Sequence, residues 1–297
     1  MPEWFETNLI SVLNGLAIGC LLFILAVGLS LVFGMMDVLN LAHGAVFLVG
    51  AYLAYALTDG GTTWAAILAA LAAAIVAGGL CGGALAALSQ PLARRGHLEQ
   101  ALMTLGAALV IAELVLVVYG NDVHAVGAPP GLDGSATIFG QAYPVYRLVL
   151  IGVGLALAAV VYLVVERTRV GALIRATVAD RGMVEALGVD SRKVLGGVFA
   201  AGCAMAAIAG VLGGPIYGAR PGLDEGVLLL ALVVVVVGGL GSIKGALVGA
   251  LLIGQVESLG RALLPDQAPF LLFGTMALIL LVRPQGMFGR AAAAGAA

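Results

Sequence analysis

The chain has 297 residues, of which 62% are hydrophobic and 10% charged, and its mean hydropathy is +1.13 with a formal net charge of −2. A soluble domain carries roughly 25% charged residues and could not hide this much apolar surface, so a bilayer must be the solvent for most of the chain. The small net charge and a pI near 5.9 carry no signature of a nucleic-acid partner.

The opening residues Met1 to Glu6 lack the basic region of a signal peptide, so the first apolar run reads as a retained span. A helix crossing hydrocarbon needs about 20 apolar residues. Such runs fall at 9–34, 41–58, 63–89, 99–119, 146–165, 194–217, 226–241, 245–260 and 269–283. Several are short and their separators are weak, so the expected fold is all-α, a polytopic membrane protein with eight or nine transmembrane or half-membrane helices. Helices are the open-chain way to satisfy the backbone in lipid. Residues 1–290 read as a single transmembrane domain, followed by a low-complexity tail at 291–297. Cys20, Cys81 and Cys203 each sit inside an apolar run without a C-x-x-C pair, and they read as small buried hydrophobes rather than metal or redox groups. Glycine numbers 44, with G-x-x-x-G spacing at Gly15/Gly19, Gly78/Gly82, Gly79/Gly83, Gly210/Gly214, Gly241/Gly245 and Gly245/Gly249. Such spacing permits close helix crossings, although with this much glycine some of it arises by chance.

Charge sets the orientation. Six of the 14 Lys and Arg residues (Arg167, Arg169, Arg175, Arg181, Arg192, Lys193) lie in the connection 166–193, which therefore belongs on the cytoplasmic side together with Arg94, Arg95, Lys244, Arg283 and Arg290. The connection 120–145 has no Lys or Arg and carries the turn signals Pro129-Pro130-Gly131 and Asp133-Gly134, so it belongs outside. Arg220 and Arg261, at other external ends, are mild exceptions. Nine crossings would place the N-terminus outside and the C-terminus inside, and eight would make one early element re-entrant or half-length.

Within the basic connection, Asp180 to Asp190 reads as a short capped helix. Asp180 can accept from the first free N–H groups, and Gly188 suits the left-handed residue that ends a helix. Met183, Val184 and Leu187 form a small apolar face, which can dock on another protein or lie on the membrane surface. Asn40 and His43, three residues apart, would share a helix face. They either line a translocation path or act locally, with Asn40 capping the following helix. Glu113 sits in an apolar stretch, where a carboxylate is a functional candidate, yet it is close enough to Gly120 to reach water. Glu257, with Arg261 at i+4, reads as a structural ion pair.

There is no G-x-x-x-x-G-K-(S or T) loop. The segment Gly238-Gly239-Leu240-Gly241-Ser242-Ile243-Lys244 is superficially similar, but it places Ile before Lys and lies in an apolar run. No metalloprotease or serine-hydrolase motif is present, and intramembrane ionisable groups are too few for a proton relay. The chain reads as no enzyme, with no cofactor of its own.

Six ordered segments carry a family resemblance over nearly the full length. Asn40-Leu41-Ala42-His43-Gly44 with Gly50-Ala51-Tyr52 resembles the N-(F or L)-A-H-G element of the permease subunits of branched-chain amino acid type ABC importers. Thr104-Leu105-Gly106 resembles their T-x-G segment. Arg169-Val170-Gly171, Arg175-Ala176, Asp180 and Glu185-Ala186-Leu187-Gly188-Val189 resemble their cytoplasmic loop. Phe199-Ala200 with Ala206, Ala209 and Gly210, then Gly238 to Ser242 with Gly245-Ala246, and finally Arg283-Pro284 with Gly286 and Gly289 resemble three later elements. The resemblance is to the shorter of two paralogous permeases. It implies a heterodimer with the longer paralogue in a bacterial cytoplasmic membrane, embedded in lipid. Two separate cytoplasmic ATPase subunits would hydrolyse ATP, and an external substrate-binding protein would deliver cargo. It also implies Arg175, Asp180, Glu185, Ala186, Leu187 and Gly188 as ATPase-coupling residues and Asn40, His43 and Thr104 as pathway residues, while Glu113 rests on burial logic alone. The cargo expected is a branched-chain or other hydrophobic amino acid. Urea, short amides or another small organic solute are the alternative, and an ATPase-independent channel or carrier is the rival from another class.

Overall fold

A computed structural model describes the chain over residues 3–36, 40–59, 61–94, 96–138 and 140–289; Arg95, Arg290 and the tail 291–297 lie outside the described residues. The apolar runs become helices α1 (Glu3–Met36), α2 (His43–Thr58), α3 (Trp64–Ser89), α4 (His97–Tyr119) and α5 (Val145–Arg167). The basic connection holds two more, α6 (Arg169–Ala179) and α7 (Arg181–Ala186). The remaining runs give α8 (Ser191–Tyr217), α9 (Leu223–Gly238), α10 (Ile243–Leu263) and α11 (Ala268–Val282). Among the described residues, seven helices are long and apolar enough to cross a membrane, α11 counting with the short turn before it. The 16-residue α2 and α9 are shorter, at about 24 Å each against roughly 30 Å of hydrocarbon.

Polar residues at the run boundaries fix the helix starts. Thr63 Oγ1 accepts from Ala66 N–H at 3.1 Å, Asp190 Oδ1 from Arg192 N–H at 3.0 Å and Ser242 Oγ from Gly245 N–H at 3.0 Å. Each satisfies an N–H that the helix itself leaves unpaired, a contribution of about 1 kcal/mol.

α1 and α10 run antiparallel. Gln255 Nε2 donates to the Val12 carbonyl at 2.9 Å and Ser258 Oγ to the Ser11 carbonyl at 2.6 Å, while at their other ends Gly34 packs on Gly241. The start of α1 therefore lies opposite Lys244 and the basic connection. The core sits where α1, α2 and α8 meet: Phe23, Ile24, Phe47, Cys203 and Ala206 are wholly enclosed. α4 and α11 lie at the rim, with Leu98, Val117, Phe270 and Leu281 exposed. The glycine spacings sort by contact. Gly78 and Gly82 face α8, where an added Cβ would lie 2.6 Å from the Cys203 carbonyl oxygen and 2.7 Å from Ala200 Cα; Gly79 and Gly83 face open space. Glu257 pairs with Arg261, as i+4 spacing suggests.

The 120–145 connection contains more than turns. Strands β1 (Ser135–Ile138) and β2 (Gln141–Pro144) form an antiparallel hairpin, with Ser135 opposite Pro144 and Ile138 opposite Gln141. Side chains alternate between faces and Tyr143 is buried, so the hairpin closes over the end of α5 rather than standing free.

Candidate functional site

At the basic end, two caps divide the connection. Thr168 Oγ1 accepts from Gly171 N–H at 3.2 Å and opens α6; Asp180 Oδ1 accepts from Met183 N–H at 2.9 Å and opens α7. Gly188 ends α7 with φ +82°, its N–H reaching the Glu185 carbonyl at 3.0 Å. An L side chain is strained at that φ, which is why glycine stands there.

The candidate coupling residues divide by what they touch. Arg175 turns inward: it donates to the Val165 carbonyl and lies 3.8 Å from Glu166, clamping α6 onto the end of α5. Both ion-pair partners also line a groove of about 630 Å³ that reaches Lys244 and Gln285. Glu185 accepts from Ser191 Oγ, on the first residue of α8, and from Arg181 Nε at 3.2 Å. It thereby fastens α7 to α8. Val184 is the buried foot of α7, whereas Met183, Ala186, Leu187 and Gly188 face outward, Leu187 with 75% of its surface exposed. The apolar face expected at 183, 184 and 187 is split between anchoring and display. The result is a short knob, fastened to α8 through Glu185 and seated on Val184.

The hydrogen bond from Ser191 and then the bond from Arg181 hold the Glu185 carboxyl below its ordinary value. A carboxylate shifted down stabilises the fold fully above its ordinary value of 4.5, and that stabilisation is lost as pH falls through the depressed value. Amide exchange across 184–188, corrected for intrinsic rates, is expected to be protected near neutral pH and to lose protection in acid below 4.5, a step that Glu185→Gln removes. Protection unchanged into acid would disconnect Glu185 from the ordering of α7.

Deep in the bundle, Asn40, His43 and Thr104 come together at the start of α2. Thr104 Oγ1 accepts from Leu41 N–H at 3.2 Å, and Asn40 Oδ1 accepts from Ala42 N–H at 3.2 Å. Asn40 Nδ2 reaches Cys203 Sγ at 3.5 Å, and His43 Nε2 lies 3.0 Å from the Leu25 carbonyl. A carbonyl can only accept, so Nε2 carries the proton, and Nδ1 is left as a buried acceptor without a partner among the described residues. Leu25 and Cys203 lie well inside α1 and α8, so α2 begins within the bundle rather than at an end. Irregular backbone at that depth is tolerated only inside protein or beside a cavity, and interrupted helices of this sort build midplane sites in transporters. Glu113 does not join this group; it lies on an exposed flank of α4.

Four rings that the sequence did not single out as a group gather where α2 and α4 meet the 120–145 connection. Tyr55 stacks on His124 at 4.2 Å and Tyr52 tilts against Tyr119 at 4.8 Å, with edge contacts of 6.0 Å for Tyr52–His124 and 6.2 Å for Tyr55–Tyr119. His124 exchanges two backbone hydrogen bonds of 2.8 Å with Ala219, which ties the connection to the link between α8 and α9. The i, i+3 spacing of Tyr52 and Tyr55 was the available signal.

Residues 11–282 match the family described as branched-chain amino acid transport system / permease component. The chain is 30% identical to the high-affinity branched-chain amino acid transport system permease protein BraD of Pseudomonas aeruginosa, over 98% of each chain. It is 28% identical to the corresponding LivH protein of Salmonella typhimurium, again over 98% of each. Identity to the probable branched-chain amino acid transport permease protein LivH of Methanocaldococcus jannaschii is 26%, over 91% of this chain and 89% of that one. No solved structure matches.

Proposed function

The chain belongs to the branched-chain amino acid transport permease family, and from that premise we propose that it is the shorter permease of an ATP-driven importer in a bacterial cytoplasmic membrane. Its partners are the longer paralogous permease, two ATPase subunits on the cytoplasmic side and an external substrate-binding protein. The cargo is a branched-chain or other hydrophobic amino acid. One observation carries the reading: α7 displays Met183, Ala186 and Leu187 at the basic end while Glu185 and Val184 fix it to the bundle. A displayed apolar surface with defined ends is what a soluble partner can grip. Closure of the two ATPases would push on α7, tilt α8 and exchange access between the two ends. Asn40, His43 and Thr104, at the start of α2, line the path that opens.

The test is uptake by the complete complex reconstituted in vesicles. Leucine uptake that needs ATP, binding protein and both permeases is the expected result. Flux through this chain alone would overturn the reading, and uptake of urea or short amides in place of leucine would reassign the cargo.

A further inference from the structure

The buried acid Asp224 has no counter-charge of its own. Only 9% of its surface is exposed, and among the described residues its carboxylate has no ion pair or hydrogen bond. Arg220, one turn before it in the chain, is exposed and makes no ion pair with it. The N-terminal dipole of α9 favours a negative charge in its first turn, but it supplies no hydrogen bond. Its carboxylate oxygens are not fully enclosed, so an arriving cation or donor can reach them.

What faces Asp224 is α2. Its backbone carbonyl packs on Gly44, and Gly44, Leu48 and Tyr52 fall four apart on one stripe of that helix. The Tyr52 ring packs on Tyr119 and His124, and His124 pairs through its backbone with Ala219 in the link that leads to Asp224. The Tyr52 hydroxyl is buried, feels the charge of Asp224, and has no partner among the described residues. Tyr52 in turn belongs to the four-ring cluster with Tyr55, Tyr119 and His124. An unpaired carboxylate, an unpaired phenol and clustered aromatic faces together suit a protonated amine: the carboxylate supplies charge-assisted hydrogen bonds, the hydroxyl accepts, and ring faces attract a cation.

We propose that Asp224 and Tyr52, backed by Tyr55, Tyr119 and His124, form a recognition point in the permease for the ammonium group of its cargo. This rests on the import reading above and adds to it a discrimination made by the permease itself: a zwitterionic amino acid is held, while a neutral amide or urea, lacking the cation, is not.

The complete reconstituted complex tests this with the same binding protein throughout. Asp224→Asn is nearly isosteric, and its assembly is checked by size exclusion. Leucine uptake is expected to fall about tenfold or more in Asp224→Asn, the scale of a lost charge-assisted hydrogen bond, and to recover in part in Asp224→Glu. Competition separates the chemistry: isopentylamine should inhibit leucine uptake in the wild type and lose that effect in Asp224→Asn, whereas 4-methylpentanoate should compete equally in both. Leucine uptake at wild-type rate in Asp224→Asn overturns the proposal, as does loss of assembly with the paralogous permease, which would make Asp224 an interface residue. If the wild type carries some other amine-bearing solute and Asp224→Asn loses it, the site stands and only the cargo reading falls. If the wild type carries neutral solutes alone, both fall.

Discussion

Charge reversal at Glu185 combined with a β-branched residue at Gly188 (Glu185→Lys with Gly188→Val) is expected to abolish amino acid uptake while the assembled complex still hydrolyses ATP. Glu185 is the side chain that fastens α7 to Ser191 on α8, and a lysine there would face Arg181 instead of accepting from it. Gly188 holds φ +82°, where an L side chain costs roughly 1–2 kcal/mol and valine more, so the end of α7 must unwind or turn away. Both changes act at the C-terminal end of a six-residue helix whose only buried side chain is Val184. Little else holds it. Ionised side-chain pairs at such exposure contribute little to global stability, so the permease should still fold and insert. What is lost is the rigid link between a displayed surface and α8. Uptake should drop by about two orders of magnitude or to background, a link worth some 2.7 kcal/mol or more if it is the sole mechanical connection. The measurement is uptake and phosphate release on the same vesicles. Uptake at wild-type rate in the double variant would remove α7 from the coupling path, and a parallel loss of assembly would show that it serves docking alone.

The long apolar helices were legible because each is announced by length and hydropathy: the runs 9–34, 63–89 and 194–217 differ from α1, α3 and α8 by no more than six residues at either end. α7 was legible for a different reason. Asp180 and Gly188 are local signals, and their caps form as their chemistry dictates. The lateral arrangement was not legible, because spans that are apolar all round carry no stripe to say which flank faces the bundle. Thus Glu113 could not be placed from sequence, and it lies on the exposed flank of α4. Arg175 matched a family position, yet its neighbours, Val165 and Glu166, belong to the preceding helix and give the residue a clamping contact. Asp224 went unnoticed because an acid in a first turn ordinarily answers the helix dipole. Its isolation becomes visible only when α2 is laid against α9. The hairpin was hidden by its brevity: two strands of four residues between turn signals look like loop.

Gly210→Val is expected to deplete the folded permease, while Gly79→Val, a chemically identical change in an equally apolar helix, is expected to be tolerated. Sequence spacing treats the two alike, since Gly79 pairs with Gly83 and Gly210 with Gly214. A Cβ at Gly210 would press on the Phe47 carbonyl and lie 2.9 Å from the Ala51 nitrogen and 3.0 Å from Gly50 Cα, all backbone atoms of α2. At Gly79 it would meet nothing within 4 Å. Overpacking that side chains can absorb costs about 1–3 kcal/mol, but here no side chain can yield and α2 itself must move. Moving α2 draws Asn40 from Cys203 and His43 from Leu25, so buried donors and acceptors are exposed to apolar surroundings at about 1–3 kcal/mol each. The sum approaches the ~5–15 kcal/mol that holds a typical fold together. Monodisperse protein recovered from membranes, read by fluorescence-detected size exclusion, should therefore fall by about tenfold or more for Gly210→Val. For Gly79→Val it should stay within about twofold of wild type, a difference of under 1 kcal/mol. Equal recovery of the two variants would mean that α2 and α8 do not cross at these glycines, and the polar start of α2 would then have to be placed elsewhere in the bundle.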